Sequence, residues 1–261
     1  MGRAMTAPEQ KGSRVLPVSG ACGPARAGDT RPRDDDTAQL GGRAPLDVLI
    51  VASSPRRDGN SSLMAESALQ GVREAGHQAR LVYLDDHVHG FLRACRRGRD
   101  ASGRCTIDDG YEALLRERVL RADGIVFATP IYWYGMAGQL KTFFDRMFCF
   151  ISASEPEADM FVAGLTRKRL GLLLSSEETN PAAALGVIAQ MQEYARYMHS
   201  DLVAVVRGIG NRRGDVLRDP QNPIAQARDL GRTLFERLST DYQIDTERPG
   251  STWAALSTEV L

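Results

Sequence analysis

The segment Leu46-Asp-Val-Leu-Ile-Val-Ala52 is almost wholly apolar and rich in β-branched residues, with no polar residue at alternate positions. A strand of that texture is covered on both faces, as in a parallel sheet with helices above and below it. The same alternation of strand and helix then repeats along the chain. Ala65, Ala68, Leu69, Val72 and Ala75 recur at helical spacing over 61–76 and stop at Gly76. A second strand is expected at Ala79–Leu84, a helix at 111–121 and a third strand at Gly124–Thr129. Leu140, Phe143, Phe144, Met147, Phe148 and Ile151 then mark one face of a helix over 138–151. Strands at Leu170–Leu174 and Leu202–Val206 follow, with helical pattern near 182–198 and 224–238. Five strands alternating with helices predict an α/β doubly wound parallel sheet. Periodicity alone leaves the order of its strands open.

The balance of 33 basic and 33 acidic residues in 261 gives no basic footprint, so nucleic acid is not an expected partner. No apolar run approaches the ~18 residues that would cross a bilayer, and no membrane partner is expected. Residues 1–44 are rich in Gly, Ala, Pro, Arg and Asp and are read as a disordered extension. The folded domain is placed at 45–240 and a C-terminal tail at 241–261. Four scattered cysteines and an N-terminus without a basic segment leading into an apolar core point to a reducing cytoplasm rather than to secretion.

In doubly wound sheets ligands collect at the carboxyl ends of strands. The first strand runs into Ser53-Ser-Pro-Arg-Arg-Asp-Gly-Asn-Ser-Ser62, where hydroxyls and an amide precede a helix N-terminus. Such a loop suits a phosphate, although Ser and Asn also serve as plain helix caps. It matches neither G-x-x-x-x-G-K-[ST] nor G-x-G-x-x-G, which argues against ATP and a Rossmann-bound dinucleotide. The third strand runs into Thr129-Pro-Ile-Tyr-Trp-Tyr-Gly-Met136, with three consecutive aromatic rings at a loop tip. Those rings are expected to cover a flat heterocycle or a partner surface.

These two loops, with Lys141-Thr-Phe-Phe-Asp-Arg146 after the second, resemble the NAD(P)H-dependent FMN reductases, especially the branch that includes the iron-sulfur flavoproteins. The matching patterns are G-S-P-R-x-x-G-N-[ST] at Ser53–Ser61, [ST]-P-x-Y-[WF] at Thr129–Trp133 and K-x-[FL]-x-D-R at Lys141–Arg146. The resemblance spans roughly 46–238 and implies a flavodoxin-like strand order, 2-1-3-4-5. It implies FMN as cofactor and NAD(P)H as co-substrate. Ser54, Arg56, Asn60, Ser61 and Ser62 would surround the FMN phosphate, and Pro130, Ile131, Tyr132, Trp133 and Tyr134 would line its ring. Ser53 stands where the family usually has Gly, so a positive φ there would be strained.

The cluster-binding branch carries a compact set of cysteines, whereas Cys95 and Cys105 stand apart here without C-x-x-C, Cys22 lies in the extension and Cys149 on a helix. Four thiolates are normally required, so no cluster and no metal are expected. Asp85-Asp-His-Val-His89 is read as a solvated turn and Gly208–Asp215 as an ordinary loop. The resemblance implies an enzyme that passes electrons from NAD(P)H through FMN to a small acceptor by a ping-pong route, with no side chain assigned to acid–base catalysis. One rival is an FMN-dependent dehydrogenase of a small cyclic metabolite reoxidised by dioxygen, its substrate carboxylate met by Arg93, Arg96, Arg97, Arg99 or Arg104. The other is a flavodoxin-like electron carrier. Aromatic loops and the apolar helix suggest a homodimer or homotetramer.

Overall fold

The computed structural model describes residues 44–93, 99–152 and 155–238. Cys22, Cys95, Arg96, Arg97 and the expected extension and tail lie almost wholly outside them. Chain order is β1 (Asp47–Ala52), α1 (Asn60–Glu74), β2 (Gln78–Tyr83), α2 (Tyr111–Leu114), β3 (Gly124–Tyr132), β4 (Gly135–Met136), α3 (Gly138–Ile151), α4 (Ala158–Leu165), β5 (Arg169–Ser176), α5 (Leu185–Tyr197), β6 (Asp201–Ile209) and α6 (Pro223–Thr233). The main sheet runs β2-β1-β3-β5-β6 with every neighbouring pair parallel. That is the expected order of five strands. The sixth, β4, is a two-residue return strand antiparallel to the end of β3.

Strand side chains alternate between two apolar layers. Val48, Ile50, Val126, Ala128 and Leu173 face α1 and α6, while Leu49, Val51, Ile125, Phe127, Leu170 and Leu172 face the layer formed by α2–α5. The α1 and α6 backbones meet almost directly: a Cβ on Gly71 would lie 1.9 Å from the Arg228 carbonyl oxygen, and one on Gly231 2.1 Å from that of Ala68. Two glycines thus set how close the helix that begins at the first loop sits to its neighbour.

Three elements differ from the sequence expectation. The helix expected over 111–121 becomes a π-helical turn at Leu115–Val119, and the wider turn keeps Leu114, Leu115 and Val119 all buried. The α4 helix was not expected; it inserts only Phe161 and Leu165 into the core. On α3 the fully buried stripe is Leu140, Phe143, Met147 and Phe150, rotated from the expected one. Phe144, Phe148 and Ile151 instead line a groove of about 400 Å³ shared with Tyr194, Tyr197 and Met198 of the α5 region.

The Arg146 side chain is 1% exposed and forms a bidentate pair with Asp109, at 2.5 and 3.0 Å. Asp109 also accepts backbone N–H bonds from His89, Gly90 and Tyr111. The last residue of the Lys141–Arg146 pattern therefore ties the 85–110 segment to α3.

Candidate functional site

A crevice of about 550 Å³ opens across the carboxyl ends of β1, β3, β5 and β6. Its place beside the β1/β3 junction, where strand order reverses, is where this fold class binds ligands. One end is built by the β1–α1 loop. Ser54, only 3% exposed, accepts the Arg56 N–H through its Oγ at 3.1 Å. The Gly59 N–H and the Ser62 hydroxyl both donate to the Arg56 carbonyl, at 3.2 and 2.6 Å. A Cβ on Gly59 would press on Arg56 and approach the Ser54 hydroxyl. The loop is thereby folded tightly into the start of α1, which no side chain caps. The N–H groups of the first turn are left for a ligand, and an anion there gains from the helix dipole.

Ser53 is not among the residues with positive φ. Its N–H and hydroxyl both donate to the Ala128 carbonyl, at 2.9 and 3.2 Å, so this position fits serine without strain. Asn60 lines the crevice, but its amide also donates to the carbonyls of Gly210 and Arg212 at 3.0 Å each. It staples the loop after β6 to the loop after β1. The Gly208–Asp215 segment is therefore more than the ordinary connection expected, because Gly210 and Asn211 form part of the wall. Ser62 is not in the wall; its hydroxyl is used in shaping the loop.

The other end is aromatic. β3 and β4 form a hairpin in which Tyr132 pairs with Gly135, leaving Trp133 and Tyr134 as a two-residue turn. Their φ values are 48° and 61°, as a type I′ turn requires, and that turn is normally made by Asn-Gly. Left-handed backbone costs about 1–2 kcal/mol at each non-glycine residue. The Thr129 hydroxyl anchors the returning strand by accepting the Ala137 N–H at 3.0 Å. Trp133 is 96% exposed and Tyr134 61%, so the strain is not offset by contacts of these rings within the protein.

Of the sequence-predicted residues, Ser54, Arg56, Asn60, Ser61, Pro130, Ile131, Tyr132, Trp133 and Tyr134 come together around this one crevice. Ser175, Ser176, Glu177 and Glu178 complete it and were missed. The signal was present, since they directly follow a predicted strand at its carboxyl end. The donor set fits FMN: among the described residues one cation, buried hydroxyls and helix N–H groups without a side-chain cap at one end suit a phosphate, and a wall of rings at the other suits a flat heterocycle. The volume lies within the range of cofactor sites.

The NADPH-dependent FMN reductase family matches residues 46–199. The chain belongs to this family. A Bacillus subtilis protein, YwqN, named as an NAD(P)H-dependent FMN-containing oxidoreductase, is 30% identical over 188 residues, covering 72% of this chain and 98% of that one. An iron-sulfur flavoprotein of Methanocaldococcus jannaschii is 31% identical over 101 residues, 39% of this chain and 51% of the relative. Among solved structures, the Trp repressor binding protein from Bacillus subtilis superposes with a TM-score of 0.54 at 27% identity, covering 73% of this chain and 99% of that one. The NAD(P)H:quinone oxidoreductase from Methanothermobacter marburgensis does so with a TM-score of 0.52 at 21% identity, covering 73% and 100%, and supports the flavodoxin-like fold alone. As a member of the FMN reductase family the protein is an NAD(P)H-dependent FMN oxidoreductase.

Neither Cys105 nor Cys149 is in a disulfide, and the described residues contain no group of three or more His, Cys, Asp and Glu arranged for a metal. His89 bonds the Asp85 carbonyl through Nε2 at 2.8 Å, closing the acidic turn on itself. No helix among the described residues is long and apolar enough to cross a membrane.

Proposed function

We propose that the crevice holds FMN with its phosphate among Ser54, Arg56, Asn60, Ser61 and the first turn of α1, and its ring beside Pro130–Tyr134. Ser62 contributes by keeping the loop closed on the Arg56 carbonyl. Bound FMN supplies a two-electron store that accepts hydride from NAD(P)H and passes the electrons on. The observation that carries this reading is the pairing of an anion-accepting end with an aromatic end in one crevice whose aromatic tip stands in solvent. Nicotinamide and a small acceptor such as a flavin, quinone or azo compound take turns on that open side, giving ping-pong kinetics. Arg56 neutralises phosphate charge, and the strained hairpin holds its rings at the open side before substrate arrives. The carboxylate-recognition rival loses two of its arginines: Arg99 pairs with Glu155 at 2.8 Å and Arg104 with Glu157 at 3.5 Å.

Purified protein is expected to be yellow, to release FMN on denaturation and to bleach rapidly when mixed anaerobically with NADPH. Initial velocities against both substrates should give parallel reciprocal lines. A yellow protein that NAD(P)H does not bleach would move the assignment to the dehydrogenase or carrier, and a colourless protein without FMN affinity would remove it.

The groove between α3 and α5, with Phe148 and Tyr197 about half exposed, supports assembly into a homodimer or homotetramer through this face. Sedimentation of the holoprotein should give a dimer or larger, and Phe148→Asp should shift it toward monomer. A wild-type monomer at micromolar concentration contradicts the assembly.

A further inference from the structure

The crevice contains two carboxylates that the proposed cofactor does not use. Glu177 and Glu178 follow β5, are exposed and line the same cavity as Trp133 and Tyr134. Among the described residues neither has an ion-pair partner: Arg207, the nearby cation on β6, donates instead to the Thr179 carbonyl at 2.8 Å. Among the described residues the one cation of the wall, Arg56, stands on the loop after β1. The crevice is thus polarised, with positive charge where the phosphate would sit and negative charge on the wall formed after β5. Independently, Trp133 presents a nearly naked indole held by a strained backbone. An indole face attracts cations through its quadrupole, more strongly than any other aromatic side chain. Two unpaired carboxylates favour the same sign of charge.

We propose that Glu177, Glu178 and Trp133 make the open side of the crevice selective for a planar cationic heteroaromatic ring, one whose ring nitrogen carries an alkyl group. The inference rests on the oxidoreductase reading above and names the chemistry that its second site accepts. Two sources share that chemistry. The nicotinamide ring becomes an N-alkylated pyridinium as it gives up its hydride. An N-alkylated cationic acceptor becomes neutral as it gains two electrons and a proton, so that NAD(P)H and the cation give NAD(P)⁺ and the neutral reduced ring with charge and electrons balanced. In the second case the carboxylates hold the oxidised acceptor and lose their attraction for the product, which aids its release.

The test is calorimetric titration of FMN-loaded protein with two cations, 1-methylnicotinamide and N-methylphenazinium, each beside its neutral counterpart, nicotinamide or phenazine. At least one cation should bind roughly tenfold more tightly than its neutral partner. The preference should fall to within about twofold in the Glu177→Gln/Glu178→Gln variant and shrink in strong salt, which screens exposed charges. Trp133→Ala should weaken both rings but the cation more, because the indole face adds a cation–π attraction to the stacking that both rings share. A preference limited to 1-methylnicotinamide assigns the site to the oxidised nicotinamide left after hydride transfer, and one that extends to N-methylphenazinium assigns it to the acceptor. Equal binding of charged and neutral rings in both pairs, or a preference that survives the double substitution, overturns the proposal. Anaerobic bleaching by NADPH on the same sample reads the oxidoreductase assignment separately: bleaching without charge preference sinks only this inference, and charge preference without bleaching sinks only that assignment.

Discussion

Replacing Gly71 by Ala is expected to lower the stability of the protein by about 3 kcal/mol, at the upper end of what overpacking a core usually costs. The new methyl would lie 1.9 Å from the Arg228 carbonyl oxygen, 2.8 Å from its carbon and 3.0 Å from the Arg232 nitrogen. All three belong to the α6 backbone, so no side chain can turn aside and the helices must separate. Because α1 begins at the Arg56–Asn60 loop, that separation also displaces the first-turn N–H groups. FMN affinity should therefore weaken roughly tenfold, the equivalent of about 1.4 kcal/mol. Urea unfolding and FMN titration of the same variant measure the two effects. Gly138→Ala is the control: its Cβ meets nothing within 4 Å, and it should change stability by less than about 0.5 kcal/mol. Equal behaviour of the two variants would show that the α1–α6 contact does not govern the crevice.

The second large effect is expected at Arg146→Met, which keeps the side chain's bulk and removes its charge. Breaking a buried ion pair from one side costs about 3–5 kcal/mol, because the partner charge is left behind without compensation. Here that partner is Asp109, on which Arg146 and three backbone N–H groups converge. Burial pushes the Asp109 carboxyl up, but the Arg146 hydrogen bond and the N–H groups of His89, Gly90 and Tyr111 outweigh it and hold it below the usual range. A carboxyl depressed in the folded state stabilises the fold above its unfolded value, about 3.9. That contribution is lost as pH falls through the folded value. In the variant the carboxylate has lost its main partner, so the loss should be greatest near neutral pH and narrow at pH 4 and below. A destabilisation of the same size at pH 7 and pH 4 would show that lost packing over the Tyr111 ring, 4.2 Å from the guanidinium carbon, is the cause instead.

The sheet was legible because its central strands β1, β3 and β5 are buried on both faces and leave apolar runs, as in Val48–Ala52 and Leu170–Leu174. Their order was not in that pattern; it came with the resemblance carried by the loops at Ser53–Ser62 and Thr129–Trp133. Both ends of the crevice were also legible, since strand-end loops of unusual composition mark such sites. The hairpin was not, because Trp133-Tyr134 lacks the Asn-Gly signal that its backbone geometry would ordinarily demand. The Asn60 staple joins residues 150 positions apart, a contact that local pattern does not encode. Glu177 and Glu178 were overlooked because two acidic residues after a strand read as surface. The α4 helix is too short, and buries too little, for its period to emerge from eight residues.

The Trp133–Tyr134 turn also says something about how this protein could be improved and at what loss. A screen that rewards resistance to heat alone would drift toward Asn-Gly at those two positions, since that pair relieves the backbone and sacrifices no internal packing. Its winners would melt later and catch their substrates less well. These two strained residues are ones that a thermostability campaign has good reason to leave untouched.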